Sequence, residues 1–299
     1  MEFGKLDNIR GVDWSIPLDD ATNPERFKTQ NAPLKIHVGS PAWGQKSWIG
    51  KIYPAKTPAD QFLYHYSRNF NCIELNTAHY RIPSEEITYG WLKQVPSHFK
   101  FCPKVHKDIS HSSFGMFDPK TLSDYLHFLE NLQDNIGPAF IQFHENFSYH
   151  DKLALFKFLE QWPKDFDLTV ELRHPSWFPD HKILPALGDY LQKRGMGLVI
   201  TDVAGRRDVL HTSLTSSWTM LRLIGNDLDV SDEERLKNWS QRMIHWQKLG
   251  LKDIYLFLHQ PDDILTIEFA QMANKVFRDA GYRDFPEFAT VKERDLFNI

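Results

Sequence analysis

Cysteine is scarce in this chain: Cys72 and Cys102 are the two thiols among 299 residues. A pair is too few for the disulfide frameworks that hold small secreted domains together. Each falls inside a short apolar run, where a reduced thiol packs as a small apolar side chain. An excess of one charge is missing as well, with 35 basic against 39 acidic residues and a net charge of −4. No global basic field therefore supports nucleic acid as a partner. Long hydrophobic runs are lacking, and the ~20 apolar residues needed to cross a bilayer are nowhere approached. No charged-then-apolar leader opens the chain, so the expectation is a cytoplasmic protein with no membrane partner. A P-loop, a dinucleotide fingerprint and a nucleophile elbow are all missing. The one GxG, Gly195-Met196-Gly197, sits between a helix end and a strand and reads as a turn. Nothing demands an organic cofactor.

What the chain has instead is a repeated polar ending. Eight short apolar runs stop on charged or amide residues: KIHVGS (35–40), CIELN (72–76), FKFCPKVH (99–106), AFIQFH (139–144), LTVELRH (168–174), GLVITD (197–202), TMLRLIG (219–225) and DIYLFLHQ (253–260). They begin on average about 31 residues apart, the size of a βα unit. Helical periodicity fills most of the gaps, as in the i, i+3, i+4, i+7 stripe of Leu122, Tyr125, Leu126, Leu129 and Leu132. Thr57-Pro58 and Asp118-Pro119 each set a capping side chain before a proline suited to the first helical position. Ser231 and Glu234 have capping-box spacing, at the head of a helix that buries Leu236, Trp239, Met243 and Trp246 and stops at Gly250.

The pattern predicts an α/β protein with a single (β/α)8 TIM-type barrel over residues 35–299. Residues 203–217 are too short and too rich in Ser and Thr for a full helix, so a loop is expected between strands six and seven. The long polar stretch 105–117 after strand three is the lid candidate. Residues 1–34 carry Pro17, Pro24 and Pro33 and no sustained period. They read as an N-terminal extension packed on the barrel through Phe3, Val12, Trp14 and Ile16.

In a parallel barrel the C-terminal strand ends share one mouth, and alternation decides which side chains face it. Glu74 and Asn76 share a face of strand two, Lys104 and His106 of strand three, Gln142 and His144 of strand four, Glu171 and Arg173 of strand five. Asp202 ends strand six, Arg222 lies in strand seven and His259 closes strand eight. Barrel interiors are usually apolar, and an unpaired buried charge is very costly. Such a load is either a structural ion-pair network or a ligand site at the face where barrels do chemistry. Lys104, Arg173 and Arg222 favour an anion, phosphate or carboxylate. Glu74 and Glu171 offer an acid/base pair of the kind glycoside hydrolysis uses.

Glu171, His174, Asp202 and His259 are metal-ligand types, yet no HxH, HExxH or cysteine cluster is present. No resident metal is assigned, and a divalent ion stands as the alternative. In ELRHPSWFPD (171–180), Pro175 holds His174 extended. His174 is then a candidate acid/base, and Trp177 a platform for a ring or, with Phe178, a plug that anchors the loop. Trp43 and Trp48 pose the same choice after strand one.

VGSPAWGQKSWIGKIYP (38–54), the Glu74-x-Asn76-x-x-x-Tyr80 pattern, FKFCPKVHKDISH (99–111) and VELRHPSWF (170–178) together resemble the YecE-like family, known as domain of unknown function 72. The resemblance runs from about Lys35 to the C-terminal helix and implies a TIM-type barrel without an established reaction. The barrel it implies is similar to those of endonuclease IV-like and sugar-isomerase-like proteins, an analogy of fold and not of site. Carried over by motif, it highlights Trp43, Glu74, Asn76, Tyr80, Lys104, Glu171, Arg173, His174, Trp177, Asp202 and Arg222. After strand eight the family's paired amides give way to His259-Gln260-Pro261-Asp262.

The expected function is binding of a small anionic substrate at the barrel mouth, with hydrolase or isomerase-type chemistry. Glu74, Glu171 and His174 would be catalytic. Trp43, Asn76, Tyr80, Lys104, Arg173, Trp177, Asp202, Arg222 and His259 would bind substrate. The alternatives are a metal-dependent phosphodiesterase resembling endonuclease IV, and a non-catalytic metabolite-binding or scaffold protein. The pattern carries no signal of oligomeric state.

Overall fold

The computed structural model describes residues 4–27, 33–111 and 118–288. Eight parallel strands appear where the apolar runs lie: β1 Lys35–Gly39, β2 Cys72–Leu75, β3 Lys100–Pro103, β4 Ala139–Gln142, β5 Leu168–Glu171, β6 Gly197–Asp202, β7 Trp218–Ile224 and β8 Asp253–His259. Regular pairing gives a six-stranded sheet ordered β1-β8-β7-β6-β5-β4 and a two-stranded sheet β2-β3, rather than one continuous closed sheet. At the β1–β2 seam Asn71 N donates to Val38 O at 3.2 Å and Glu74 N to Ser40 O at 3.1 Å. Side chains replace the rest of that ladder: Val38 N donates to Asn71 Oδ1 at 2.5 Å, and Ser40 N to the Tyr66 hydroxyl at 2.8 Å. At the β3–β4 seam Gly137 N donates to Phe101 O at 2.7 Å and Val105 N to Phe140 O at 2.9 Å.

Strands such as CIEL, AFIQ and LTVE are buried at every position, as parallel strands covered on both faces must be. Alternation then splits six of the strands between two apolar bodies. Ile73, Ile141, Val170, Leu221, Leu256 and Leu258 pack outward in the large core shared with the helices. Cys72, Cys102, Phe140, Val199, Met220, Tyr255 and Phe257 form a separate inner cluster. Both cysteines are free and buried within it.

Helix boundaries follow local chemistry with two exceptions. Asp118 caps Pro119–Asn131 as expected, accepting from Lys120 N and Thr121 N. Thr57 does not cap, because its hydroxyl turns back to Pro54 O at 2.7 Å. The helix Val230–Leu249 starts before the anticipated box, with Asp229 as its cap. Ser231 is buried, and Asp232 turns to bind the preceding loop instead. Gly250 ends that helix at φ 121°, a left-handed conformation that favours glycine. Between β6 and β7 the chain forms only the short 3-10 segment Ala204–Val209 before running on as loop. Within the lid candidate, Lys107–Ser110 is a short helix, whereas 112–117 lie outside the described residues, as does Phe3.

The N-terminal segment is tied down by polar contacts more than by its half-buried Val12, Trp14 and Ile16. Asp20 accepts from Ser213 Oγ, Asn23 bridges Thr212 O and Leu214 N, and Asp19 accepts from Trp246 Nε1 at 2.8 Å. No helix among the described residues is long and apolar enough to cross a membrane.

Candidate functional site

Above the inner apolar cluster the inward positions turn polar together: Glu74, Gln142, Glu171, Thr201, Arg222 and His259. Arg222 is 1% exposed, and its guanidinium lies 5.8 Å above the Phe140 ring. With hydrocarbon beneath it, the cation must find its partners sideways. Nε and Nη2 donate to Glu74 at 2.9 and 3.0 Å, and Nη1 donates to both oxygens of Glu171 at 3.2 and 3.0 Å. Glu74 also meets His259 Nε2 at 2.9 Å and Asn76 Nδ2 at 3.0 Å. Glu171 accepts from Arg173 Nε at 2.8 Å, Thr201 Oγ1 at 3.1 Å and Gln142 Nε2 at 2.7 Å.

Burial pushes both carboxyls up, but the cations beside them prevail. Arg222 and His259 hold Glu74 well below the usual carboxylate range, and Arg173 and Arg222 bring Glu171 down to about 2. Both are fixed anions at neutral pH. Lys104 behaves in the opposite way. Its Nζ donates to the amide oxygen of Gln142 at 2.8 Å, and no carboxylate among the described residues forms an ion pair with it. Burial, then the Arg222 charge, outweigh the pull of Glu171 and Glu74 and lower its pKa to about 8.

This polar layer floors a cavity of about 630 Å³. Lys104 follows β3, Gln142 ends β4 and Arg173 follows β5; across from them Asn226 and Asp227 follow β7, and Gln260 and Asp263 follow β8. Above the Glu74–Arg222 floor, and apart from Lys5 and Asp7 of the N-terminal segment, the cations of the wall thus follow β3 and β5 and the carboxylates follow β7 and β8. Burial raises the Asp263 carboxyl, which accepts from Gln45 at 2.8 Å. The β7 loop is held in a costly shape, with Asp227 and Leu228 at φ 56° and 64°. Asp232 secures it by accepting from Asn226 N and Leu228 N at 2.9 and 3.2 Å. At Gly225 any Cβ would strike Gln260 and Asp232, so only glycine lets that loop approach. The N-terminal segment completes the rim through Lys5, Leu6, Asp7 and Ile9, anchored where Gly205 N donates to Gly4 O at 2.8 Å.

Of the residues anticipated from sequence, Glu74, Asn76, Tyr80, Lys104, Arg173, Arg222 and His259 line this cavity, and Glu171 lies directly beneath it. The others stand elsewhere. Trp43 packs edge-on against Trp91 in a separate outer groove. His174 caps its own loop, accepting from Ser176 N. Trp177 is fully buried, its Nε1 donating to Phe147 O at 2.8 Å, which makes it a plug. Asp202 lies behind β6, bound to Arg207, Arg235 and Trp239. The four potential metal ligands Glu171, His174, Asp202 and His259 thus do not converge, and no group of three or more such side chains among the described residues is arranged to hold a metal ion.

Asn226, Asp227, Gln260, Asp263 and the N-terminal rim were not anticipated. The loop residues immediately follow the polar strand ends and were within reach of the same reasoning. The rim carried no local signal.

The sequence profile of the family described as "Protein of unknown function DUF72" matches residues 37–285. The chain belongs to the DUF72 family. It is 30% identical to the UPF0759 protein YecE of Escherichia coli (strain K12) over 245 residues, which is 76% of this chain and 87% of that protein. Against the UPF0759 protein YunF of Bacillus subtilis (strain 168) it is 26% identical over 155 residues, 48% of this chain and 52% of the other. The solved DUF72 family protein of Enterococcus faecalis V583 superposes with a TM-score of 0.67 at 19% identity, covering 82% of this chain and 96% of that one. The Thermotoga maritima MSB8 member gives 0.62 at 22% identity, covering 80% and 99%. At such identities the likeness to these two DUF72 structures concerns the fold alone.

Proposed function

We propose that the eight strands work as one barrel, closed across its two seams by a few hydrogen bonds each, and that its mouth binds and transforms a small hydroxylated anion. The carrying observation is the segregation of charge across the cavity wall. Lys104 and Arg173 face the side where a carboxylate or phosphate would sit. Asp227, Asp263 and Gln260 face the side where hydroxyl groups would donate. About 630 Å³ suits a molecule of metabolite size. Glu74 and Glu171, held ionised, serve as fixed anions that orient Arg222 and Arg173 rather than as proton donors. Two free buried cysteines accord with a reducing cytoplasmic setting.

Thermal unfolding against sugar phosphates, hydroxy acids, nucleotides, uncharged polyols and divalent metals tests this, with Lys104→Met and Arg173→Met beside the unaltered protein. A ligand at a hundred times its Kd adds about 2.7 kcal/mol. An anionic polyol should raise Tm in the unaltered protein and in neither variant, while uncharged polyols do nothing. A metal-only response would overturn the anion assignment. Stabilisation without turnover would leave binding and remove catalysis, and silence across the panel would remove the function altogether.

A further inference from the structure

Gln142 fixes what Lys104 meets. Its amide nitrogen lies 2.7 Å from Glu171 Oε2, and an ionised carboxylate only accepts. The NH2 must therefore face Glu171 and the carbonyl oxygen must face Lys104, whose Nζ is 2.8 Å away. The amide thus stands between the lysine and the nearest carboxylate. Arg222 and Arg173 engage Glu171, and Arg222 with His259 engages Glu74. Lys104 is left lining an open cavity with a neutral partner, above a layer whose negative charge is already matched. Such a setting leaves an ammonium at pH 7 but makes the uncharged amine, with its nucleophilic lone pair, far more accessible than in an ordinary lysine.

We propose that Lys104 is the nucleophile of this cavity and forms an iminium with an aldehyde or ketone that also carries a carboxylate or phosphate. The assignment rests on the anion-binding reading above, with Arg173 holding the anionic group. The Nζ lone pair attacks the carbonyl carbon, a C–N bond forms and the C=O π pair moves to oxygen. The oxygen then departs as water, taking one proton from the nitrogen and one from solvent. The resulting C=N+ bond withdraws electrons from the neighbouring carbon, which is the step that isomerisation or carbon–carbon cleavage requires.

The experiment incubates the full chain at pH 7 with glyoxylate, an aldehyde bearing a carboxylate, and cyanoborohydride, which delivers hydride to an iminium carbon and leaves a stable carboxymethylamine. Peptide mass mapping then reads the rate at each lysine. With a pKa near 8, about a tenth of Lys104 is neutral at pH 7, against less than about a thousandth of an ordinary lysine. Lys104 should therefore be modified at least about tenfold faster than surface lysines, even after allowing for access. Lys104→Arg and Lys104→Met should each leave surface labelling unchanged and yield no fast site. Arg173→Met should slow the Lys104 reaction severalfold. Glycolate, the same anion without the carbonyl, is tested in parallel by thermal shift. If glycolate stabilises the protein but Lys104 reacts no faster than surface lysines, the nucleophile assignment falls and the anion site stands. If neither occurs, both fall.

Discussion

Arg222 and Arg235 are both essentially fully buried and both held by two carboxylates, yet Arg222 lines the 630 Å³ cavity and Arg235 does not. Arg235 donates to Asp202 at 3.1 Å, to Asp232 at 2.9 Å and to the Ile224 carbonyl at 2.7 Å, with the Trp14 ring 4.8 Å from its guanidinium. Every neighbour there is committed to holding something. Asp202 ties β6 to the long helix through Trp239, Asp232 pins the β7 loop, and Arg207 joins the cluster to the N-terminal segment through Ser15 O. The Arg222 cluster is likewise built on one buried arginine between two carboxylates but opens onto Lys104, which no carboxylate among the described residues pairs with. Buried ion pairs alone therefore do not identify a site. What distinguishes one is a group left poised beside a space.

The sharpest test of that contrast is Arg222→Met, which takes the shared guanidinium from two buried carboxylates and should lower stability by about 3–5 kcal/mol in urea unfolding at pH 7. Glu74 and Glu171 have folded pKa values below the ordinary 4.5, so their contribution is complete above that pH and is lost as pH falls toward 2. In the variant they gain protons more readily, so its deficit should shrink between pH 7 and pH 5. A deficit constant over that range would mean that packing, not charge, was lost. Arg235→Met should cost about 3 kcal/mol. It should also speed proteolysis within residues 4–26, which Arg222→Met should not. Equal protection in both variants would erase the distinction between the clusters.

Lys104→Met should stabilise the protein at pH 7, by up to about 3 kcal/mol, while abolishing ligand-induced stabilisation. Because the lysine pKa falls from 10.5 to about 8 on folding, the unfolded chain binds more protons between those values. Stability of the unaltered protein should therefore rise from pH 8 to pH 10, and the advantage of the variant should narrow. Destabilisation by Lys104→Met would make the lysine a structural cation like Arg235. The smallest effect is expected at His174→Ala, a loss of roughly 0.5–1 kcal/mol from the loop cap with ligand response intact. Loss of that response would restore His174 to the site.

The strands and the polar floor were legible because two simple periodicities combine there. A βα unit fixes which strand ends share a mouth, and alternation places Glu74, Gln142, Glu171, Arg222 and His259 on one face. The breaks in the sheet were less legible, since at the β1–β2 seam Asn71 and Tyr66 stand in for backbone partners. Asp202 misled for a related reason. At the end of a strand a residue can face the mouth or the layer behind it, and only the neighbours decide. Asp202 was claimed from behind by Arg235 and Trp239, which come from a helix more than thirty residues downstream. Ser231 lost the cap to Asp229 because Asp232 was needed by the loop that precedes the helix. The N-terminal rim was illegible, as no local pattern tells an extension which surface it will cover.

The polar floor also sets an order of events on the ribosome. Glu74 is made 148 residues before Arg222 and 185 before His259. At ordinary elongation speeds that first interval lasts roughly 7–30 s. Through all of it the guanidinium that pairs with Glu74 does not yet exist, so drawing the β2 carboxylate out of water is costly. The charge that later lines the cavity thus disfavours burial of β2 until its partner in the seventh strand has been synthesised.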